Sequence, residues 1–318
     1  MGNWPGRVRR ALLALFVTGA VVVPVSAAAH PDVPAPAPAR LGTVTAATLE
    51  RAYERNRATA ARAADMADAA GFLGRARALR AIAARDRTFL TFDARGAGRA
   101  AEVLGDLAHA DRIAVLVPGS DTSLDTYGRF RAGALALHDR LGARAAVVAW
   151  LGYGTPTTIG PAVTTTGRAE AAAPALTAFV RALRTVAPGS SVTLLCHSYG
   201  SVVCARAAPG LTGRAAVCDL VLLGSPGTGA DTAAALGTRA TVWAARGADD
   251  WIAGVPHTKA DVLGTTVGFG TDPVSGSFGA RVFAAGGGGH SDYFRSGSPS
   301  LANITRIVLG QDAEVTHV

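Results

Sequence analysis

Apolar positions change period partway along the chain. Between residues 45 and 87 they recur at mostly three- and four-residue spacing: Leu49, Ala52, Tyr53, Ala60, Ala63 and Met66, then Phe72, Ala76, Leu79 and Ile82 after a break at Gly71. That is the period of an amphipathic helix interrupted once, so 43–87 predicts a helical hairpin. Its simplest role is packing against the rest of the protein; a lid over a site is the alternative. Beyond Arg87 the pattern becomes short β-branched runs, predicting strands over 88–92, 99–103, 113–117, 145–150, 192–195, 220–223, 241–243 and 281–283. Helical stretches fall between most of them, at 127–141, 168–186, 201–208, 231–236 and, last, 301–309. Strands 88–92 and 99–103, split by Gly96 and Gly98, read as a β-hairpin. The remaining runs are apolar on both faces and joined by helical crossovers, which predicts a mostly parallel, doubly wound α/β sheet. Ligands are then expected beyond the carboxyl ends of the strands.

The first residues follow another logic. Arg7, Arg9 and Arg10 precede an apolar run from 11 to 25 and then Ser26-Ala27-Ala28-Ala29, the charged, apolar and small-residue regions of a secretory signal peptide over 1–29. About 15 apolar residues interrupted by Pro24 are too few for a membrane span, which needs roughly 20. A Pro/Ala-rich spacer follows at 30–42, then the hairpin at 43–87 and one catalytic domain at 88–318. Secretion or residence in the cell envelope is the expected localisation. With 49% hydrophobic and 17% charged residues, the chain has apolar surface enough for a core, which excludes a disordered protein. The formal net charge of +8 drops to +5 without the three signal-segment arginines. The remaining arginines are scattered singly and Lys259 is the only lysine, so no nucleic-acid surface is expected.

Candidate chemistry sits where a predicted strand meets a helix. Val192-Thr193-Leu194-Leu195 runs into Cys196-His197-Ser198-Tyr199-Gly200 and continues as helix from Ser201. A serine in such a sharp strand-to-helix turn is a nucleophile elbow, in which the positions two before and two after the serine must be small. Gly200 meets that requirement fully and Cys196 approximately. The turn resembles the G-x-S-x-G elbow of the α/β-hydrolase superfamily, with Cys196 in place of the first glycine. The resemblance implies the α/β-hydrolase fold, with downstream triad partners in the order serine, acid, histidine. Asp250, in Gly247-Ala248-Asp249-Asp250, has the spacing of the acid, with Asp249 as the alternative. His290, after a glycine-rich run that follows the last strand, is the candidate base, with His257 as the alternative. His197, beside the nucleophile, is expected to point away from Ser198 and to orient the elbow. The other histidines form no metal-ligand cluster, and neither metal nor organic cofactor is expected.

The strand at 113–117 ends in Pro118-Gly119-Ser120-Asp121, where superfamily members place an oxyanion loop. The implied donors are the backbone N–H groups of Ser120 and Tyr199. Four motifs together resemble an actinobacterial α/β-hydrolase family catalogued as a domain of unknown function: Val115-Leu116-Val117-Pro118-Gly119, Cys196 to Ser201, Gly224-Ser225-Pro226-Gly227, and Gly288 to Phe294. That family implies the fold and triad, without a substrate, and has exported members. Gly224-Ser225-Pro226-Gly227-Thr228-Gly229 lacks dinucleotide-loop spacing and is expected to border the active site. The next predicted helix begins at Asp231, leaving no room there for a large cap domain, and 254–279 is the one remaining long loop. Of the three cysteines, Cys204 and Cys218 lie on adjacent predicted elements and form the expected disulfide, leaving Cys196 behind the elbow. The expected activity is an exported serine hydrolase of carboxylic esters, preferring short to medium chains. Its expected partners are a small-molecule or lipid ester substrate and, transiently, the cell envelope. A cell-envelope acyltransferase using the same acyl-enzyme, and a non-catalytic hydrolase-fold binding protein, are the alternatives.

Overall fold

The computed structural model describes residues 33–318 except 160, 256, 258, 259, 263 and 264, with no account of the side chains of 161, 260–262 and 265–267. The signal segment at 1–29 and the start of the spacer lie outside the described residues. Residues from Pro34 to Val318 form one unit.

Among the described residues there are ten strands: β1 (Thr88–Asp93), β2 (Arg99–Leu104), β3 (Arg112–Val117), β4 (Ala145–Leu151), β5 (Ser191–His197), β6 (Asp219–Leu223), β7 (Thr241–Ala245), β8 (Ala260–Val262), β9 (Thr265–Val267) and β10 (Arg281–Val282). Six α-helices accompany them: α1 (Leu49–Ala69), α2 (Leu73–Ile82), α3 (Tyr127–Leu141), α4 (Gly167–Val186), α5 (Tyr199–Ala207) and α6 (Pro299–Leu309). Eight strands make one sheet in the order β1-β2-β4-β3-β5-β6-β7-β10. The β1–β2 and β2–β4 pairings are antiparallel and all others in the sheet are parallel. The central strands are apolar throughout because helices cover both faces: every residue of β4 and β6 is buried. Helix α4 packs with α5, and α3 with α6. This is an α/β-hydrolase fold, with no inserted cap domain among the described residues.

The N-terminal segment is a helical hairpin, although Met66, one of the apolar positions in its period, is exposed. Leu49, Ala52, Tyr53, Ala60, Ala63 and Ala67 bury one face of α1, and Gly71, at φ +82°, makes the break before α2. It docks on the β1 edge, where the Asn56 side-chain amide donates to the Phe89 carbonyl at 2.7 Å. Beneath it Glu102, fully buried on β2, accepts from Arg87 at 2.7 Å and Arg131 at 2.8 Å.

Two local expectations change. The stretch 231–236 contains only the 3₁₀ turn Ala234–Leu236, closed by Gly237 in the left-handed conformation; the segment between Gly229 and Gly237 is too short to propagate an α-helix. The loop 254–279 contains the antiparallel ribbon β8–β9. Its β-branched residues Val262, Thr265, Thr266 and Val267 carried that signal in the sequence.

Candidate active site

The site assembles at the carboxyl ends of the parallel strands. At the end of β5 the chain turns through Ser198, whose φ of 54° and ψ of −126° are costly for a residue with a Cβ. The turn is held from both sides. The Ser198 N–H donates to the Leu223 carbonyl of β6 at 2.9 Å, and the Ser201 hydroxyl donates to the Cys196 carbonyl at 3.0 Å. Helix α5 starts at Tyr199 and folds straight back along the sheet. At Gly200 a Cβ would lie 2.5 Å from the Val117 carbonyl oxygen, so a larger residue there would push the helix off β3. The cysteine at 196 is accommodated because its side chain faces the helix.

That orientation corrects the expected cysteine pairing. The disulfide joins Cys196 to Cys204, and Cys218 is free and exposed. Residues 192 and 218 sit level at the starts of β5 and β6, since the Cys218 N–H donates to the Val192 carbonyl. Cys196 is therefore four strand residues further up the sheet, at about 3.3 Å each. Helix α5 descends only about 1.5 Å per residue, so Cys204 remains near the level of Cys196 and far from Cys218. The two bonded Cα atoms are 6.4 Å apart.

Two further loops bring Asp250 and His290 to Ser198. After β7, Asp250 opens a 3₁₀ turn over Trp251–Gly254, and its Oδ1 accepts from the Ile252 N–H at 2.9 Å. His290 follows β10 and the glycine run at 286–289. This run is tied to the acid loop by Ala248 N–H to the Gly286 carbonyl (3.0 Å) and Gly288 N–H to Asp249 Oδ2 (3.3 Å). His290 Nε2 lies 2.8 Å from Ser198 Oγ, and its Nδ1 lies 2.9 Å and 3.1 Å from the two Asp250 oxygens. The structure thus brings Ser198, His290 and Asp250 together. Asp249 is exposed and supports the backbone before His290, and His257 faces Asp272 at 3.6 Å, away from the three.

Tyr293 and Trp251, whose roles were not foreseen, complete the cluster together with His197. Tyr293, buried, donates to Asp250 Oδ2 and accepts from the Gly247 N–H at 3.1 Å. The His197 Nε2–H donates to the His290 carbonyl at 2.6 Å, so it holds the backbone of His290. Trp251 places its ring 4.6 Å from that of His290 while remaining 54% exposed. Tyr293, three residues after His290, and Trp251, next to Asp250, were adjacent in sequence to recognised positions; what they contact depends on which loops meet.

The electrostatics follow from these contacts. Burial pushes the Asp250 carboxyl upward, but the hydrogen bonds from His290, Tyr293 and the Ile252 N–H outweigh it and hold it below the usual carboxylate range. Burial, with the hydrogen bond to Asp250, raises the Tyr293 phenol, which keeps its proton. Burial, reinforced by the neighbouring His290, pushes the His197 imidazole down to about 4, so that it is a neutral donor at pH 7.

The loop after β3 lies against the nucleophile: a Cβ at Gly119 would be 2.6 Å from the Ser198 Cβ. Ser120 follows Gly119 in this loop, and Tyr199 is the first residue of α5; the N–H of a first helical residue has no intrahelical acceptor. The loop is pinned to the segment after β4. Tyr153 donates to the Pro118 carbonyl at 2.6 Å, the Asp121 N–H to the Pro156 carbonyl at 2.9 Å, and the Thr158 N–H and hydroxyl to the Asp121 carboxylate. Asp121 and Ser198 are the only non-glycine residues with positive φ among the described residues. The Tyr199 hydroxyl donates to the Thr165 carbonyl at 2.7 Å and accepts from the Ala169 N–H at 3.2 Å, tying the elbow to the start of α4.

A doubly wound sheet with a strained serine at a strand-to-helix turn defines an α/β hydrolase. Residues 93–260 match the family described as alpha/beta hydrolase, and the chain belongs to that family. A relative, an uncharacterized protein of Mycobacterium tuberculosis, is 32% identical over 251 residues, covering 68% of this chain; the chain spans only 37% of that relative's length. Another uncharacterized protein, from Mycobacterium bovis, is 34% identical over 152 residues, which are 43% of this chain and 56% of that protein. Among solved structures, an α/β serine hydrolase without lid from Xanthomonas campestris is similar at a TM-score of 0.43 and 16% identity, covering 71% of this chain and 94% of that one. Est1E from Butyrivibrio proteoclasticus gives a TM-score of 0.43 at 13% identity, covering 72% and 99%. Among the described residues, no group of three or more His, Cys, Asp and Glu is placed to hold a metal ion, and no helix is long and apolar enough to cross a membrane.

Proposed function

We propose that the chain is an exported serine hydrolase of carboxylic esters, acting through Ser198, His290 and Asp250. The observation that carries this reading is the continuous line of short contacts from Asp250 through His290 to Ser198 Oγ, with the serine in a strained turn. In this mechanism His290 Nε2 takes the Ser198 proton as Oγ attacks the acyl carbon, and Asp250 stabilises the imidazolium that forms. The carbonyl electron pair moves to oxygen, where the N–H groups of Ser120 and Tyr199 receive it. Collapse of this intermediate expels the alcohol, which takes the proton from His290. Water, activated by the same imidazole, then releases the acid. No step calls for a metal or an organic cofactor.

Export is supported by the residue pattern at 1–29 and by the Cys196–Cys204 disulfide, since such bonds persist in oxidising compartments. A small-molecule or lipid ester, met at or near the cell envelope, is the substrate class. The decisive experiment treats wild type and Ser198→Ala with a fluorophosphonate and then with p-nitrophenyl esters of increasing acyl length. Labelling and short-chain turnover in wild type alone are expected; an unlabelled wild type overturns the reading. Product analysis with added alcohols separates hydrolysis from acyl transfer.

A further inference from the structure

Five large apolar side chains remain exposed among the described residues: Met66, Leu73, Ile159, Trp251 and Val318. Of these, Trp251 is the one in contact with the reacting cluster. The turn that positions Asp250 also sets its exposure. Asp250 caps the 3₁₀ segment through the Ile252 N–H, Ile252 goes into the interior, and Trp251 is turned outward beside His290. Its ring centroid lies 4.6 Å from the imidazole's, with the planes inclined at 50°. Trp251 is 54% exposed, while the His290 side chain beside it is only 13% exposed.

Resting on the serine-hydrolase reading above, we infer that Trp251 is a specificity-determining platform for the alcohol portion of the ester, and that the substrate's alcohol presents a flat apolar face. The argument is one of proton bookkeeping at His290. The Oγ–carbon bond forms as Nε2 takes the Ser198 proton; the carbon–alkoxy bond then breaks as the same proton passes from Nε2 to the departing oxygen. That oxygen must therefore sit within hydrogen-bond reach of Nε2, and its substituent lies alongside the imidazole rather than in the acyl pocket. The indole is the large apolar surface exposed there. A flat face of C–H bonds or an aromatic ring gains both apolar burial and ring contact on it. An acyl chain, on the far side of the reacting carbon, does not reach it through the same contact.

The test uses the full chain and pairs of esters that differ on one side only. Ethyl and 2-phenylethyl acetate vary the alcohol; ethyl acetate and ethyl hexanoate vary the acyl group. Wild type is expected to favour the phenylethyl ester in kcat/KM by about tenfold to a hundredfold, the discrimination an apolar contact supplies. Trp251→Ala should bring that alcohol ratio close to one and leave the acyl ratio unchanged, while Trp251→Phe keeps part of the alcohol preference. Three results overturn the inference: an alcohol ratio near one in wild type, an alcohol ratio unaffected by Trp251→Ala, or loss of acyl preference in its place. A uniform fall across all esters also overturns it, assigning the indole to support of His290 alone. Fluorophosphonate labelling of each variant separates these outcomes from failure of the parent reading, because an enzyme labelled at Ser198 with an unmoved alcohol ratio refutes only the role of Trp251.

Discussion

Two of the carboxylates buried among the described residues, Glu102 and Asp250, have surroundings that differ in kind. Glu102 on β2, fully buried, is gripped by Arg87 and Arg131, two permanent cations that cancel its charge. Asp250 after β7, 2% exposed, receives hydrogen bonds from Tyr293, from the Ile252 N–H and from an imidazole, partners that are neutral while His290 is unprotonated. The first arrangement fixes a hairpin to a sheet edge. The second leaves a negative charge that is solvated by dipoles and uncancelled, ready to stabilise positive charge appearing on His290. Burial alone therefore does not mark a carboxylate as chemical; the charge state of its partners does.

This contrast can be broken most severely at Asp250. Asp250→Asn keeps the shape but removes the charge and favours the wrong imidazole tautomer, so kcat for a p-nitrophenyl ester should fall about 10³- to 10⁴-fold in a protein that still unfolds cooperatively. Glu102→Gln should do the converse. Leaving the buried Arg87 and the half-buried Arg131 without their counter-charge is expected to lower the unfolding free energy by about 3–5 kcal/mol in urea titrations, with kcat of the folded protein close to wild type. A loss of activity in the folded Glu102→Gln protein would erase the distinction.

Acid should act through the second region. His197 has a folded pKa of about 4, below its unfolded value of about 6.5, so between these values only the unfolded chain binds the proton. Its contribution to stability is complete above about pH 6.5, shrinks as the pH falls to about 4 and is then exhausted, a loss on the order of 1–3 kcal/mol. Asp250, with its pKa lowered, adds a further loss as the pH drops below the usual carboxylate range. Denaturant titrations across pH 3–7 measure both, and His197→Gln should flatten the upper part of the profile. Tyr293→Phe removes one donor from Asp250 and is expected to lower kcat about tenfold. Asp249→Asn, at the exposed neighbour that touches only the glycine run, should change kcat by no more than about threefold.

The strands were legible because the short runs predicted for all eight in the main sheet match the observed segments to within two residues at either end, and most of the helices between them keep a clear period. The elbow was legible because its chemistry is local: strand, serine, glycine and helix lie within ten residues. Ser198, Asp250 and His290 were nameable from the order in which they follow those strands. What the sequence withheld depends on the different advance per residue of strand and helix, or on which loops touch. The cysteine pairing needed the first: Cys204 and Cys218 lie on adjacent elements, but the heights reached along strand and helix bring Cys196, not Cys218, to Cys204. The hydrogen bond from His197 to the His290 carbonyl spans 93 residues of chain, and the clamp of Asp121 on Thr158 joins two loops with no shared motif.

The disulfide across the elbow has an analytical consequence. Trypsin cleaves after Arg184 and Arg206, so Cys196, Ser198 and Cys204 leave the protein together on residues 185–206. An inhibitor bound to Ser198 will then be found on a ring-closed peptide, lighter by two hydrogens than its reduced form and slow to fragment between the cysteines. A search for the labelled linear peptide alone would miss a label on Ser198, whereas reduction before digestion would reveal it.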